Sequence, residues 1–447
     1  MEYNNNCIDT RVARENRIVD LVIYDAKNAF QAYSKKSLNC RREIISNIRT
    51  KLRPYIREIA ERELKETCMG NVQDKMIKLV LALDKTPGVE DLDTEVVTGD
   101  DGITIREQSA YGIALAIHPA TNPCATLISN AIGMLAAGNA VINIPNPRSM
   151  GVSGFLTEKI NEVISEACGI NNLLITLTEP RRDIVDELIH HPDISLVVAT
   201  GGRGMMKMTM CSPKRVIAAG PANPVAIVDE TADIEKAAKD ISDGASFDHN
   251  IMCISEKSIV IVSTVLPQFI EALVHNGVYY IDNEEDMIKL TKVVLNQDMK
   301  MVRKLEGKSA MDILQEAGIH VDRNIRLIVV KSFAKHPFVL EEIMMPIVPL
   351  VAVSDFDEAL ETALFIEQGF RHTAMMHSQL IGRLNKAAKI MNTTVFIKNG
   401  SSLAGIGLNG EEKVSFTIAN MTGEGITTAR DFTYKRSCTL SSGFSIR

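Results

Sequence analysis

The chain has 447 residues, of which 45% are hydrophobic and 23% charged, and a formal net charge of −7 with no basic block. This length predicts two or three domains with sizeable cores, and the composition is that of an ordinary globular protein. The charge balance argues against a nucleic-acid partner, and no apolar run approaches the roughly 18 residues of a membrane span. The eight cysteines form no CxxC pair, which favours reduced thiols over a disulfide framework or a zinc site.

The first hundred residues predict helices followed by a hairpin. Helical spacing of apolar residues predicts a helix over 11–33, a largely solvated helix near 40–65 and a third helix over 71–84, whose apolar positions are Met76, Leu79, Val80 and Leu83. Two β-favouring runs around GDDG predict a hairpin over 94–108. Because an isolated hairpin is marginally stable, we expect it to pair with a C-terminal strand or with another subunit.

From residue 111 the pattern alternates between strands and helices, which predicts a parallel, doubly wound α/β sheet. The carboxyl ends of three predicted strands carry the sequences HPATNP, IPNPRS and ATGGRG. Ligands of such sheets bind at the carboxyl ends of the strands. A second α/β unit follows after about residue 226, with a strand predicted over 257–265 directly after the loop GASFDHNIMCISEK.

Three features of these loops are candidates for chemistry. Cys253 by itself is as typical of a buried structural thiol as of a nucleophile, but its loop also contains polar residues, and His249 is a candidate base by proximity. Asn122 is either a helix N-cap or an amide donor to an oxyanion. The glycines of ATGGRG precede a helix, and a helix N-terminus favours anions such as phosphate.

These stretches together resemble the aldehyde dehydrogenase superfamily, and in particular its CoA-acylating branch, the acetaldehyde and propionaldehyde dehydrogenases of ethanolamine and propanediol microcompartments. The resemblance is carried, in order from about residue 60 to the C-terminus, by TPGVE, HPATNP, ISNAIGMLAAGNAV, VATGG, AAGPANPVAIVDETADIEKAA, GASFDHNIMCISEK, HPFVLEEIMMPIVPLV, GFRHTAMMHS, NTTVFIKNG and TGEGITTARDFT.

The resemblance implies an α/β fold with a Rossmann-type cofactor domain, an α/β catalytic domain and a β-flap for oligomerisation. On this chain the cofactor (NAD and CoA) domain is expected at 1–93 and 110–225, the catalytic domain with the nucleophilic cysteine at 226–412, and the flap at 94–109 and 427–447.

The resemblance also implies roles for individual residues. Cys253 is the expected nucleophile, and Asn122 shares the oxyanion hole with the backbone N–H of Cys253. Glu342 falls where the superfamily contacts the nicotinamide ribose, and Thr200, Gly201 and Gly202 fall where the cofactor pyrophosphate lies. The expected cofactor-binding set also includes Thr121, Pro145 and Asn146. No metal is implied.

One departure from the hydrolytic aldehyde dehydrogenases concerns their Glu–Leu–Gly–Gly motif, which supplies a base for water. The corresponding stretch here begins at Ala218. A thiol of pKa about 8.5 is partly ionised at neutral pH and needs less activation than water, so the resemblance implies that CoA releases the acyl group. The expected reaction converts a short-chain aliphatic aldehyde, NAD⁺ and CoA reversibly into acyl-CoA and NADH.

Two alternatives to this reaction remain at this stage. The first is a hydrolytic NAD(P)-dependent aldehyde dehydrogenase that gives the free acid. The second is a catalytically inactive scaffold of the same fold, against which the intact Cys253, Asn122 and Glu342 argue. The lysine that commonly holds the adenosine ribose is replaced near Asn146, and Arg148 could meet an extra phosphate, so the choice between NAD and NADP stays open.

The expected partners are the aldehyde, the cofactor, CoA and further copies of the chain in a homodimer or homotetramer, with microcompartment shell or cargo proteins as additional candidates and no membrane. The expected location is the cytoplasm or the interior of a bacterial microcompartment. The amphipathic N-terminal targeting helix of microcompartment relatives is not visible in the polar first ten residues, which counts against encapsulation.

Overall fold

The computed structural model of the protein describes residues 5–444 and 446, with side chains from residue 18 onward. The first half contains the helices α1 (Asn5–Tyr33), α2 (Leu38–Lys51), α3 (Ile56–Thr67), α4 (Val72–Lys85), α5 (Pro123–Ala137), α6 (Met150–Cys168), α7 (Arg182–His190) and α8 (Arg203–Met210). Its strands are β1 (Glu95–Gly99), β2 (Gly102–Ala110), β3 (Ile113–Ile117), β4 (Ala140–Ile144), β5 (Leu174–Thr176), β6 (Ile194–Thr200) and β7 (Arg215–Ala219).

The second half contains the strands β8 (Val225–Val228), β9 (Ser258–Val262), β10 (Val278–Ile281), β11 (Leu327–Ser332), β12 (Ile347–Val353), β13 (Thr373–His377) and β14 (Val395–Lys398). Its helices are α9 (Ile234–Ser246), α10 (Leu266–His275), α11 (Glu284–Val294), α12 (Ala310–Glu316), α13 (Pro337–Leu340), α14 (Phe356–Glu367) and α15 (Ile381–Met391). The short strands β15 (Ile418–Ala419) and β16 (Gly425–Ile426) and the long strand β17 (Thr433–Ser441) follow. Among the helices of the described residues, none is both long and apolar enough to cross a bilayer.

The chain forms two compact units. Unit 1 consists of residues 1–66, 79–219 and 413–447, and unit 2 of residues 67–78 and 220–412. The short segment 67–78, which contains the first half of α4, thus belongs to the unit of the C-terminal sheet. The domain roles taken from the resemblance stay predictions.

Unit 1 is built on a parallel five-stranded sheet in the order β5-β4-β3-β6-β7. Its central strands are buried along their whole length, as in sheets covered on both faces. Helices α5 and α6 are each capped at the C-terminus by a left-handed glycine, Gly138 with a φ angle of 94° and Gly169 with a φ angle of 71°. The strand order brings the carboxyl ends of β4, β3 and β6 next to one another at one edge of the sheet.

Unit 2 is built on a parallel seven-stranded sheet in the order β10-β11-β12-β9-β8-β13-β14. The central strand β9, which follows the Cys253 loop, is completely buried and ends at Val262, before the predicted 265. The two sheets confirm the predicted parallel α/β architecture.

The prediction of one solvated helix near 40–65 was wrong in two respects. Pro54 lies in a 3₁₀ turn that separates α2 from α3, since proline lacks the N–H that a helix interior needs. In addition, α2 has a buried apolar face formed by Ile44, Ile45 and Ile48, although its sequence is rich in charged residues.

The predicted apolar face of the third helix was also partly wrong. Met76 and Val80 of α4 are only half-buried, whereas Lys75 and Lys78 are buried. Charged side chains at buried positions need partners, and helical periodicity alone does not reveal them.

The predicted hairpin and its C-terminal partner strand are confirmed. β1 and β2 pair antiparallel around Asp100 and Asp101, and β17 pairs antiparallel with β2 over its full length. We call this three-stranded sheet the flap. The register places Val96, Ile105 and Leu440 on one of its faces, and all three side chains are exposed. An exposed apolar sheet face marks a surface for association.

We therefore expect the protein to form oligomers through the flap. Light scattering at micromolar concentration should give a mass above that of the monomer, and Ile105→Lys should shift the mass toward the monomer. The matched control is Thr104→Lys, because successive residues of a strand point to opposite faces; it should leave the mass unchanged. A wild-type protein that is monomeric and fully active would contradict this prediction.

Candidate active site

A strained turn lies just before Cys253. It follows α9 as a 3₁₀ turn over Phe247–Asn250, in which Asp248, His249 and Asn250 have φ angles of 44°, 56° and 62°. Left-handed backbone at residues other than glycine is uncommon and costs on the order of 1–3 kcal/mol per residue. Such strain persists only where surrounding contacts hold it, and each of the three residues has such a contact.

Asp248 is held by two buried lysines. Its carboxylate lies 3.4 Å from Lys75 Nζ, pairs closely with Lys78 Nζ and accepts the backbone N–H of Asn71 at 2.8 Å. Burial opposes ionisation of this carboxyl, but Lys78 and Lys75 outweigh it and hold its pKa below the usual value. The first residue of the turn is thus fixed by a buried charge cluster.

Asn250 is held by backbone carbonyls and by a third buried lysine. Its side-chain amide donates to the carbonyls of Ala245 and Glu256 at 2.8 and 3.0 Å. The ammonium group of Lys257 donates to the backbone carbonyl and to the side-chain oxygen of Asn250, and to the carbonyl of Ile343 at 3.0 Å. These contacts connect the turn to the segment that carries Glu342.

His249, the candidate base by proximity, has its Nδ1 2.9 Å from the carbonyl oxygen of Gly307. A carbonyl only accepts, so Nδ1 carries the proton in this contact. The ring therefore anchors the middle of the turn to the backbone, which is a structural task that needs no proton transfer.

Cys253 itself lies between the turn and β9, half-buried among buried neighbours. Burial raises the pKa of its thiol to about 12; Glu342 acts in the same direction and Lys257 in the opposite one. Of the predicted site residues, unit 2 thus brings Cys253 and Glu342 into electrostatic contact. A thiol with this pKa is protonated at neutral pH, so a nucleophilic role requires positive charge that favours the thiolate.

Asn122 is buried at the start of α5, in unit 1, after the carboxyl end of β3. It occupies the N-cap position, but its side chain makes no capping hydrogen bond and its Nδ2 lies 3.3 Å from Thr121 Oγ1. The alternative of a plain side-chain cap therefore does not describe this residue. An amide held at a strand end without a capping task fits an oxyanion donor.

The predicted pyrophosphate segment follows β6 at the same sheet edge. Thr200 Oγ1 lies 3.1 Å from Thr417 Oγ1, and the Gly201 N–H donates to the Ala219 carbonyl. Gly202 is the N-cap of α8, and open space surrounds the positions where side chains would begin at Gly202 and Gly204. An uncapped helix start with open space beside it fits a phosphate group.

Pro145 and Asn146 follow the neighbouring strand β4. Pro145 is buried, and the Asn146 side chain accepts the Arg148 N–H at 3.0 Å and so caps a 3₁₀ turn. The structure therefore brings the loops with Thr121, Asn146 and Thr200 to one sheet edge, while Asn146 also has a local structural task.

A profile of the aldehyde dehydrogenase family matches residues 3–408. This chain belongs to the aldehyde dehydrogenase family. It is 45% identical to the propanal dehydrogenase (CoA-propanoylating) of Citrobacter freundii over 423 residues, which are 94% of this chain and 91% of that protein.

Two solved structures of the family have the same fold. The Rhodopseudomonas palustris propionaldehyde dehydrogenase, with bound CoA and an acylated cysteine, is 41% identical with a TM-score of 0.94, over 96% of this chain and 98% of that one. The propionaldehyde dehydrogenase from the fucose utilisation microcompartment of Clostridium phytofermentans is 40% identical with a TM-score of 0.94, over 96% and 98%. The fold implied by the resemblance is confirmed.

Ala218 is the residue that the resemblance aligns with the glutamate of the hydrolytic members. It is completely buried in β7, in the apolar cluster of unit 1 with Val197 and Val216. Its N–H donates to Thr422 Oγ1 at 2.9 Å. No carboxylate is available from this position to activate water.

The buried charges near the Cys253 loop were not predicted from the sequence. Lys75, Lys78 and Lys257 are buried, and the first two form ion pairs with Asp248. The only signal in the sequence was the occurrence of Lys75 and Lys78 three residues apart on a helix with apolar neighbours. No neighbouring residue indicates their partner Asp248, which lies 173 and 170 residues away in the chain.

Proposed function

We propose that the protein is a CoA-acylating aldehyde dehydrogenase with Cys253 as its nucleophile, converting a short-chain aliphatic aldehyde, NAD⁺ and CoA into acyl-CoA and NADH. The observation that carries this proposal is the 45% identity to a CoA-propanoylating enzyme over 94% of the chain. A relative crystallised with CoA and an acylated cysteine points to the same covalent route. Both relatives are named for a C₃ aldehyde, propanal, which is the substrate proposed here.

The hydrolytic alternative is disfavoured by the same relatives and by Ala218. Water needs a base at neutral pH, whereas a thiol needs much less activation. With an alanine at this position, the acyl-enzyme is expected to persist until a thiol arrives. The inactive-scaffold alternative has no support, because the proposed nucleophile and oxyanion donor are both present.

In the first half of the reaction the Cys253 thiolate adds to the carbonyl carbon of the aldehyde. The developing oxyanion is stabilised by Asn122 Nδ2 and the backbone N–H of Cys253, the donors proposed for it. Such donors act where charge develops and are preorganised by the fold. Collapse of the adduct expels hydride and leaves an acyl group on Cys253 as a thioester.

Bound NAD⁺ supplies the hydride acceptor and a positively charged ring. The residues proposed to hold it are Thr121, Pro145, Asn146, Thr200, Gly201 and Gly202 at the sheet edge of unit 1, and Glu342 in unit 2. The uncapped start of α8 and the open space at Gly202 fit its pyrophosphate. Arg148 beside Asn146 is exposed, so a 2′-phosphate is compatible with this surface and NADP is tested alongside NAD.

In the second half the CoA thiolate attacks the acyl carbon, and the Cys253 thiolate leaves. One thioester replaces another, so the bond energies nearly balance and the reaction runs in both directions. The task of the protein here is to exclude water and to leave a path for the pantetheine arm.

The experiment is an aldehyde series from C₂ to C₅ with NAD⁺ or NADP⁺, each with and without CoA. We expect NADH formation that requires CoA, with the highest kcat/KM near C₃ and acyl-CoA as the product. If NADH formed equally fast without CoA and the product were the free acid, the hydrolytic alternative would be supported instead.

The homo-oligomer is part of the proposal and rests on the apolar face of the flap. Location in the cytoplasm or in a microcompartment, with shell or cargo partners, is supported by one relative that comes from a microcompartment. Co-sedimentation with purified shells tests that point.

A further inference from the structure

Lys257 is a buried ammonium group that the reaction as described does not use. It directly precedes β9 and is completely inaccessible to solvent. Its Nζ carries three protons, and three acceptors surround it: the backbone carbonyl of Asn250, the side-chain oxygen of Asn250 and the carbonyl of Ile343. Every donor of the group is thereby engaged by the site.

These contacts place Lys257 between two segments of the proposed site. Asn250 is the last residue of the strained turn, three residues before Cys253, and its φ of 62° needs support from its surroundings. Ile343 directly follows Glu342. A single side chain thus connects the nucleophile loop to the segment proposed to contact the nicotinamide ribose.

The charge of Lys257 acts on the nucleophile as well. Three titratable groups face the ammonium: Glu342, Cys253 and Glu256. Burial lowers the pKa of Lys257, and these three groups counteract the shift. Glu256 is itself held by the N–H and the hydroxyl of Ser402, at 2.9 and 2.7 Å, and burial raises its pKa to about 7. Glu342 is the anion that Lys257 offsets at the thiol.

We propose that Lys257 is a positioning residue for the nucleophile, which both fixes the Asn250 turn against Ile343 and supplies the positive charge that favours the Cys253 thiolate. This inference rests on the proposed role of Cys253 in an acylating aldehyde dehydrogenase. It assigns to Lys257 no contact with the substrate.

The test follows alkylation of Cys253 by iodoacetamide as a function of pH, with peptide mass spectrometry to separate Cys253 from the other cysteines. Loss of a nearby positive charge typically raises a thiol pKa by about one unit or more. We therefore expect Lys257→Met to slow alkylation at pH 7 by about tenfold. The difference in alkylation rate between the wild type and Lys257→Met should decrease as the pH rises through the lowered pKa of Lys257, because the wild-type lysine then loses its own charge.

A conservative variant separates charge from geometry. Lys257→Arg keeps the charge but not the three-donor geometry, so its alkylation profile should stay close to that of the wild type while kcat falls and the KM for aldehyde changes little. If Lys257→Met is insoluble or unfolded by circular dichroism, Lys257→Gln replaces it, since an amide retains two donors without the charge.

Lys78→Met is the matched control for loss of a buried lysine. Lys78 supports the same turn through Asp248, but it is not among the charges that act most strongly on the Cys253 thiol. It should lower the unfolding midpoint and leave the pH profile of alkylation unchanged. The proposal is overturned if neutral variants at 257 keep the wild-type profile, or if Lys78→Met shifts the profile equally.

Alkylation requires no aldehyde, NAD⁺ or CoA, so it reports on Lys257 independently of the overall reaction. If the wild-type enzyme released free acid while the Lys257 variants still shifted the thiol profile, the CoA-acylating function would fail and the positioning role would stand.

Discussion

Cys253→Ala is expected to abolish CoA-dependent NADH formation, with a loss of at least about four orders of magnitude in kcat, as removal of a covalent nucleophile usually causes. The residue lies half-buried in a loop already held by Asp248, Asn250 and their partners. Its side chain is small, so the fold should persist. Binding of NADH to this variant can be followed by the fluorescence of NADH itself.

The matched control for this variant is Cys124→Ala. Cys124 is completely buried in α5, next to Asn122, and no part of the reaction is assigned to it. This variant should lose some stability but retain most of its turnover. The assignment of Cys253 as the nucleophile would be contradicted if Cys253→Ala still formed more than a trace of NADH. It would also be contradicted if Cys124→Ala were folded but equally inactive.

Asn122→Ala should lower turnover by on the order of 100- to 1000-fold, which is the typical effect of removing one oxyanion donor. The free energy of unfolding should change by less than the ~1 kcal/mol that a capping asparagine contributes, because the Asn122 side chain makes no capping bond. The measurements are kcat with saturating aldehyde and CoA, and the unfolding midpoint of the same preparation.

Asn139→Ala provides the structural counterpart. Asn139 is a buried asparagine of the same unit, whose side chain accepts the Gly112 N–H and donates to the Phe432 carbonyl. It should lose stability and keep its kcat per folded molecule, the opposite pattern to Asn122→Ala. A turnover loss below about tenfold at Asn122, together with a loss of stability typical of a cap, would reduce Asn122 to a structural residue.

The sheets were predictable because parallel strands buried on both faces are continuous apolar runs. The apolar runs of β3, β4 and β9 are of this kind and indicate buried strands of a parallel sheet. The pairing of β17 with the hairpin was predictable for a different reason. An isolated two-stranded hairpin is only marginally stable and gains stability from a further strand. Pro54 was also visible in the sequence, and the break between α2 and α3 follows from it.

The contacts that hold the Cys253 loop were not predictable in the same way. Asp248, His249 and Asn250 are three consecutive left-handed residues without a glycine. Asp, His and Asn tolerate this conformation better than other residues do, but they do not require it. The contacts that hold them come from distant parts of the chain, as the 177-residue separation between Asn71 and Asp248 illustrates. Helical periodicity did not include Lys75 and Lys78 among the buried positions of α4, because it has no information about distant anions.

In the proposed mechanism, the acyl group on Cys253 is released by CoA and not by water. A single-turnover experiment tests it most directly: enzyme, excess aldehyde and excess NAD⁺ are mixed without CoA, and NADH and the covalent mass of the Cys253 peptide are followed together. We expect one NADH per active subunit, a stable acyl adduct on Cys253 and almost no further NADH, followed by steady turnover and acyl-CoA when CoA is added. Continuous NADH formation with free acid as the product, at a rate near the CoA-dependent rate, would contradict release of the acyl group by CoA.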